Sequence, residues 1–579
     1  MVQRKQPTDP SRGESLNEAE SLLMSGAIDR RAFMRHALAV GVSLTVASSV
    51  AERALAVQSN QAERAANLRS HYDYIVCGAG ASGCVVARRL ADTGASVLLL
   101  EGGGTDERPS IQNPGVWFTN IGTDLDWGYT SLPNPGMHER AILLPMGKAI
   151  GGGTAINAMV WSRGHKNDFD FWAEAAGDAA WNYSSVLEVY KRIEDWQGVK
   201  DPARRGVGGP MWIQPAQDPN PIAPAMLRAA AAAGIPTFED QNGVMMEGAG
   251  GCAIANTVIK DGQRHSVAAA YLHPVMDRPN LTVLTGSTVT NLTLKRTRAT
   301  GVQFVRNGEM KSVTANKEII LATGALNTPK ILMLSGIGDE KELKRVGIPV
   351  AHHLPGVGAN FQDHILVAGC IWEYQTPQAP RNNAAECTFF WKSDSSLATP
   401  DLQPFQIEIP FASEVTGKRY AIPPAAWTLA PGLVRPQSRG RVRLKSADPK
   451  DGLAIEANFL TEPADLRALV RGVELCREIG NSAAMREFVK REIMPGPLTG
   501  AALEEFIRDA SGTYFHQTGT CKMGRDEMSV VDSRLKVRGI EGLRIACGAI
   551  MPRITTGNTM APCVIIGERM AAILRAGRE

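Results

Sequence analysis

The hexapeptide Gly78-Ala79-Gly80-Ala81-Ser82-Gly83 stands between a short apolar run, residues 72–77, and a segment of helical apolar spacing, residues 82–92. The first glycine permits a tight strand-to-helix turn. The second lets backbone approach a pyrophosphate, and the third lets the helix pack closely on the strand. A diphosphate placed there meets the helix N-terminus, where free N–H groups and the helix dipole favour anions. Val85, Val86, Leu90 and Ala91 give the helix an apolar face, and a second buried strand, residues 97–100, ends in Glu101. Glu101 can accept from ribose hydroxyls and would repel a 2′-phosphate, which argues for NAD or FAD and against NADP.

A strand–helix–strand order of this length predicts parallel pairing with a right-handed crossover. The expected fold class is therefore α/β with a Rossmann-like dinucleotide-binding domain. Further buried-strand candidates are residues 281–284, 289–294, 301–305 and 318–322, and helices are expected at 328–334, 464–478 and 562–576. Between 370 and 435 periodicity is weak and proline frequent (Pro400, Pro404, Pro410, Pro423, Pro424, Pro431), which reads as sheet and loops of a second lobe.

At 579 residues the chain is too long for one simple module. Lys and Arg number 62 against 59 Asp and Glu, a net charge of +3, which supplies no basic stripe for nucleic acid and no polybasic membrane patch. The nine cysteines are scattered without a Cys-x-x-Cys pair, and no His-Glu-x-x-His spacing occurs, so a zinc or iron–sulfur protein is not indicated. An odd count leaves at least one thiol over from any pairing, and most are expected to be buried free thiols.

Residues 37–51 form an apolar, small-residue run of about 15, short of the ~20 needed to span a bilayer. Arg30-Arg31 precede it and Ala54-Leu55-Ala56 follow. That order resembles a bacterial twin-arginine export signal, so residues 1–56 are expected to be the signal, 57–70 a linker, and the mature protein periplasmic. No later stretch reads as transmembrane.

Other segments carry chemical promise. Residues 147–160, GKAIGGGTAINAMV, combine three glycines with a hydroxyl and an amide, suited to backbone contact with a flat or phosphorylated ligand. Residues 318–325, EIILATGA, read as a buried strand ending in a glycine turn. His516 stands among turn residues in 514–524, and Asn558 lies in a glycine-containing loop before the last helix.

Together these blocks resemble the glucose–methanol–choline (GMC) oxidoreductases, FAD flavoproteins, in their choline dehydrogenase-like branch. The resemblance runs from about Tyr72 to the C-terminal helix. It includes Arg163-Gly164 with Asp168, Asp170 and Trp172, then Ala270-Tyr271-Leu272, Thr328-Pro329-Lys330, and Leu334-Ser335-Gly336-Ile337-Gly338. It continues through the run from Gly356 to Asp363-His364, the run from Arg435 to Gly440, and Val531-Asp532.

The resemblance implies FAD, with Gly78, Gly80, Ala81, Ser82 and Gly83 at the pyrophosphate and Glu101 at the adenosine ribose. Val289 would contact the adenine through its backbone. Gly152, Asn157, Ala158, Met159 and Val160 would lie beside the flavin, with Ala549 and Thr559 completing the cofactor set. His516 and Asn558 match the catalytic pair. The implied reaction is oxidation of an alcohol to the aldehyde or ketone, by proton abstraction and hydride transfer to flavin N5. A small primary alcohol is the expected substrate, choline-like compounds being one candidate; oxygen, a quinone or a cytochrome would each fit as acceptor. Rival readings are a lyase or light-driven fatty-acid decarboxylase on the same scaffold, or a flavin-bound subunit without turnover. Residues 71–369 are expected as the FAD-binding region and 370–435 as part of a substrate lobe whose antiparallel sheet roofs the isoalloxazine. Residues 436–579 are expected to carry the catalytic pair and return to the FAD domain.

Three positions depart from the family pattern. Ile156 replaces a histidine that some members join to the flavin, so FAD is expected to be non-covalent. Cys547 stands where many members have Asp, which puts a polar contact near the cofactor in doubt. Met560 replaces the second Asn of the usual Gly-Asn-x-Asn-Ala-Pro run, on the substrate face.

Overall fold

The computed structural model describes residues 19, 22–23, 28–39 and 44–576. Its organising element is a seven-stranded sheet with the order Leu281–Leu284, Val97–Leu100, His71–Cys77, Glu309–Leu321, Arg298–Arg306, Ser287–Lys295; Leu543–Ile545 pairs with Glu309–Leu321 as well. The strands around His71–Cys77 are parallel, joined in part by the crossover helix Ala81–Ala91. On the side away from His71–Cys77, the 13-residue strand Glu309–Leu321 serves two partners in succession: its first half closes an antiparallel hairpin with Arg298–Arg306, and its end runs parallel to Leu543–Ile545. Val97–Leu100 is buried throughout, as a central parallel strand covered on both faces must be.

The C-terminal segment returns to this sheet. Its last helix, Met560–Ala576, lies against Ala81–Ala91 so closely that a Cβ at Gly567 would sit 2.8 Å from the Val85 Cβ. Ser82 Oγ donates to the Cys563 carbonyl at 2.7 Å, fixing the two helices where the glycine turn opens.

The second lobe is a six-stranded antiparallel sheet ordered Val489–Met494, Ile371–Tyr374, Ala426–Ala430, Phe405–Ile407, Cys387–Phe390, Gly251–Ile254. It draws edge strands from outside residues 370–435, so that stretch is only its middle. Trp372 and Trp427 face each other across neighbouring strands and stack at 4.4 Å, a cross-strand aromatic pair that pins the register.

The N-terminal elements are the helices Arg30–Ala39 and Leu44–Ala66; residues 40–43, inside the apolar run, lie outside the described residues, as do 1–18. Residues 57–66, expected as linker, are helical instead. Gln61 accepts from the Val283 amide at 2.9 Å and Arg64 donates to the Leu281 carbonyl at 2.8 Å, so the helix satisfies part of the sheet's edge. No helix among the described residues is long and apolar enough to cross a membrane. Eight of the nine cysteines are buried and Cys563 is half-buried.

Candidate active site

One elongated cavity runs from the glycine turn to the underside of the six-stranded sheet. Gly78, Gly80, Ala81, Ser82 and Glu101 line one end, with Val289 nearby; His516, Asn558 and Thr559 line the other. Gly152, Asn157, Ala158, Val160 and Ile156 form the wall between them. Gly83, Met159 and Ala549 are buried and are not among the residues whose atoms line the cavity. Gly83 has the packing role its spacing implies: a Cβ there would lie 1.9 Å from the Gly78 carbonyl oxygen.

The cradle fits a dinucleotide diphosphate. Gly78 adopts φ +97°, and a Cβ on it would meet the Ala322 carbonyl oxygen at 2.6 Å. At Gly80 the nearest atom to an added Cβ is 3.9 Å away, so that position faces the cavity and its lack of a side chain keeps the space open. Gly152 must approach Gly80, since its Cβ would fall 2.8 Å from the Gly80 Cα. Glu101 accepts from the Ala79 amide at 2.8 Å and the Gly103 amide at 2.7 Å, which ties the strand end to the turn. Burial pushes its carboxyl up to about 7 against those hydrogen bonds.

At the other end, Asn558 Nδ2 donates to His516 Nε2 at 3.3 Å, and Asn558 Oδ1 accepts from Gln403 Nε2 at 3.0 Å. His516 Nδ1 lies 2.9 Å from His364 Nδ1. Burial drives His516 down to about 3, and His364, buried beside it, lies well below the ordinary imidazole range. Both imidazoles are neutral at pH 7.

Two buried carboxylates build the loops that carry the pair. Asp363 accepts from the His516 amide at 2.9 Å, Thr513 Oγ1 at 2.5 Å and Gln517 Nε2 at 3.1 Å, winding residues 513–517 around itself. Asp168 accepts from the Thr556 amide at 2.6 Å and from Arg435 Nη1 at 2.5 Å, while Trp172 Nε1 donates to the Arg553 carbonyl at 2.8 Å. Gly557, with φ +103°, then delivers Asn558 to the cavity; a Cβ there would strike Ser162 Oγ at 2.5 Å. Asp170 faces elsewhere, accepting from the Tyr183 amide.

The departures acquire definite partners. Cys547 Sγ lies 3.4 Å from Thr328 Oγ1, so a weak thiol contact occupies that place. Met560 Sδ accepts from Asn157 Nδ2 at 3.4 Å, while Asn157 Oδ1 is held by the buried guanidinium of Arg264 at 2.7 Å. Residues not singled out in the sequence as site residues are Gln403, Arg264 and the pair Asp363-His364. The last was legible only as an acid beside an imidazole within one run of the family resemblance.

Comparison with known proteins gives a consistent result. Family models described as GMC oxidoreductase match residues 72–366 and 436–567. An alcohol dehydrogenase [acceptor] of Pseudomonas putida is 36% identical over 533 residues, covering 87% of this chain and 95% of the relative. An oxygen-dependent choline dehydrogenase of Citrobacter koseri is 35% identical, covering 88% of this chain and 96% of the relative. Among solved structures, pyridoxine 4-oxidase from Mesorbium loti superposes with a TM-score of 0.83 at 32% identity, covering 87% of this chain and 99% of that one. A chain so similar along both segments, with the site those segments enclose, belongs to the GMC oxidoreductase family.

Proposed function

We propose that the protein oxidises an alcohol to the aldehyde or ketone with a non-covalently held FAD, His516 taking the hydroxyl proton. The observation that carries this reading is the His516 Nε2–Asn558 Nδ2 pair at 3.3 Å, on the wall of the same cavity that opens over the glycine cradle. Gly78, Gly80, Ala81, Ser82 and Glu101 would hold the adenosine diphosphate; Gly152, Asn157, Ala158 and Thr559 would lie along the flavin. The bound flavin supplies the electron acceptor for the hydride leaving carbon.

The chain's own part is proton chemistry and positioning. An alkoxide gives up hydride far more readily than an alcohol, so a base at the hydroxyl is required. Asn558 Nδ2 donates to His516 Nε2, which makes Nε2 the lone-pair nitrogen and leaves the proton on Nδ1, facing His364. A substrate hydroxyl placed between the two would displace the Asn558 amide from Nε2, give its proton to that nitrogen and accept from the amide as negative charge develops on oxygen. Ile156 offers the flavin no nucleophile, and burial raises the Cys563 thiol to about 12, which supports a non-covalent cofactor.

The test is anaerobic addition of an alcohol panel to the yellow holoenzyme. Loss of flavin absorbance with at least one alcohol supports the reading, and subsequent addition of oxygen or an artificial quinone separates oxidase from dehydrogenase. No response across primary, secondary and aromatic alcohols would sink it.

A further inference from the structure

A second, smaller chamber adjoins the main cavity beside the His516 loop. The two share Trp117, Ile121, Phe405 and Phe515 as walls, and Phe515 is the residue before His516. Leu366, Ile407, Ile409 and Phe411 close the chamber beyond them. No charged side chain lines it, and the one polar group among its walls, the Trp117 indole N–H, is spent on the Asn383 carbonyl at 3.0 Å.

The segment FQIEIPF, residues 405–411, explains how such a wall is built. Strand alternation turns Phe405 and Ile407 to one face, and the bend at residues 408–409 brings Ile409 and Phe411 to the same chamber. Gln406 and Glu408 face the other side, where the Glu386 amide donates to Gln406 Oε1 at 2.6 Å and the Arg381 amide to Glu408 Oε2 at 2.7 Å. Glu386, the other nearby carboxylate, is engaged by the Asn220 amide at 2.6 Å. No acid therefore turns toward the chamber. Phe118 is 38% exposed, so the chamber's outer wall reaches solvent.

We propose that this chamber takes the carbon chain of an apolar alcohol, alkyl or aryl, and that affinity rises with the length of that chain. The proposal rests on the alcohol-oxidation reading for the identity of the reacting group, but not for the chamber's preference. An alkyl chain leaves water for an apolar wall, each methylene being worth about fourfold in affinity.

Two measurements on the holoenzyme test it. The first compares propan-1-ol with hexan-1-ol by anaerobic flavin reduction. The longer alcohol is expected to exceed the shorter roughly 60-fold in kcat/KM, and equal or better reduction by the shorter overturns the proposal. The second uses alcohols that cannot be oxidised, 2-methylpropan-2-ol and 2-methylhexan-2-ol, with calorimetric binding as readout. The longer is expected to bind roughly 60-fold tighter, and the variant Ile409→Phe, which fills the chamber, should erase that gain. Equal affinities in the wild type overturn the chamber assignment whether or not any alcohol reacts. Chain-dependent binding with no primary alcohol bleaching the flavin would remove the oxidation reading and leave the chamber standing.

Discussion

The Nδ1 atoms of His516 and His364 lie 2.9 Å apart, so only one of them carries a proton. Asn558 decides which: by donating to Nε2 of His516 it leaves that residue's proton on Nδ1, and His364 accepts it. His364 thus accepts the Nδ1 proton in the tautomer whose Nε2 can act as a base. Replacing it by Ala leaves a buried N–H without an acceptor, a cost of about 1–3 kcal/mol. Flavin reduction should slow by about 5- to 150-fold, with KM little changed. Stopped-flow reduction of the His364→Ala enzyme checks this; a rate equal to wild type would assign His364 a packing role only.

His516→Ala removes the base and should lower anaerobic flavin reduction by about 100- to 10,000-fold. Asn558→Ala removes one donor to the developing alkoxide and should cost about 100- to 1,000-fold. Both variants should retain FAD, since neither residue belongs to the glycine cradle. Reduction of His516→Ala within a few-fold of wild type would move the base elsewhere.

The acid side of the pH profile follows from burial. His516 titrates near 3 in the fold against ~6.5 in an unfolded chain, so its imidazole is neutral across the working range. Limiting flavin reduction should stay flat within about twofold from pH 5.5 to 8. An acid limb centred on 6.5 would contradict it. The same shift makes the unfolded chain bind the extra proton between the two values. Stability from this group is complete above about 6.5 and declines as pH falls toward 3; urea titrations at pH 7, 5.5 and 4.5 read that slope.

Acid precipitation should release all flavin to the supernatant as FAD, because Ile156 provides no linking atom. Coloured pellet after precipitation would show a covalent bond. Gly83→Val should yield protein with little or no flavin, read from the ratio of absorbance at 450 and 280 nm, since even a Cβ at that position overlaps the Gly78 carbonyl.

Export by the twin-arginine route is our proposal from the order of Arg30-Arg31, the apolar run and Ala54-Leu55-Ala56. Changing Arg30 and Arg31 together to Lys should hold flavin-loaded precursor in the cytoplasm, since a general secretory signal needs positive charge but not paired guanidinium groups. Fractionation showing unaltered export of the double variant would exclude that route.

How much of this was legible in the sequence depends on how far apart the cooperating residues lie. The glycine turn, its flanking strand and helix and Glu101 sit within one βαβ stretch, where local spacing and backbone sterics dictate geometry; the observed strand ends at Cys77 and the helix begins at Ala81 as the pattern requires. His516 and Asn558 were reached through the resemblance, each being an ordinary loop residue alone. Tertiary structure alone joined His364 to His516 across 152 positions, and Gln403 to Asn558 across 155. It also decided which side of residues 405–411 faces the cavity. An alternation is legible in the sequence, but a period of two says only that the faces differ. Which face meets the cavity is set by the neighbouring strands, while Asp363 and Asp168, buried carboxylates that need hydrogen-bond donors, fix the loops that carry His516 and Asn558.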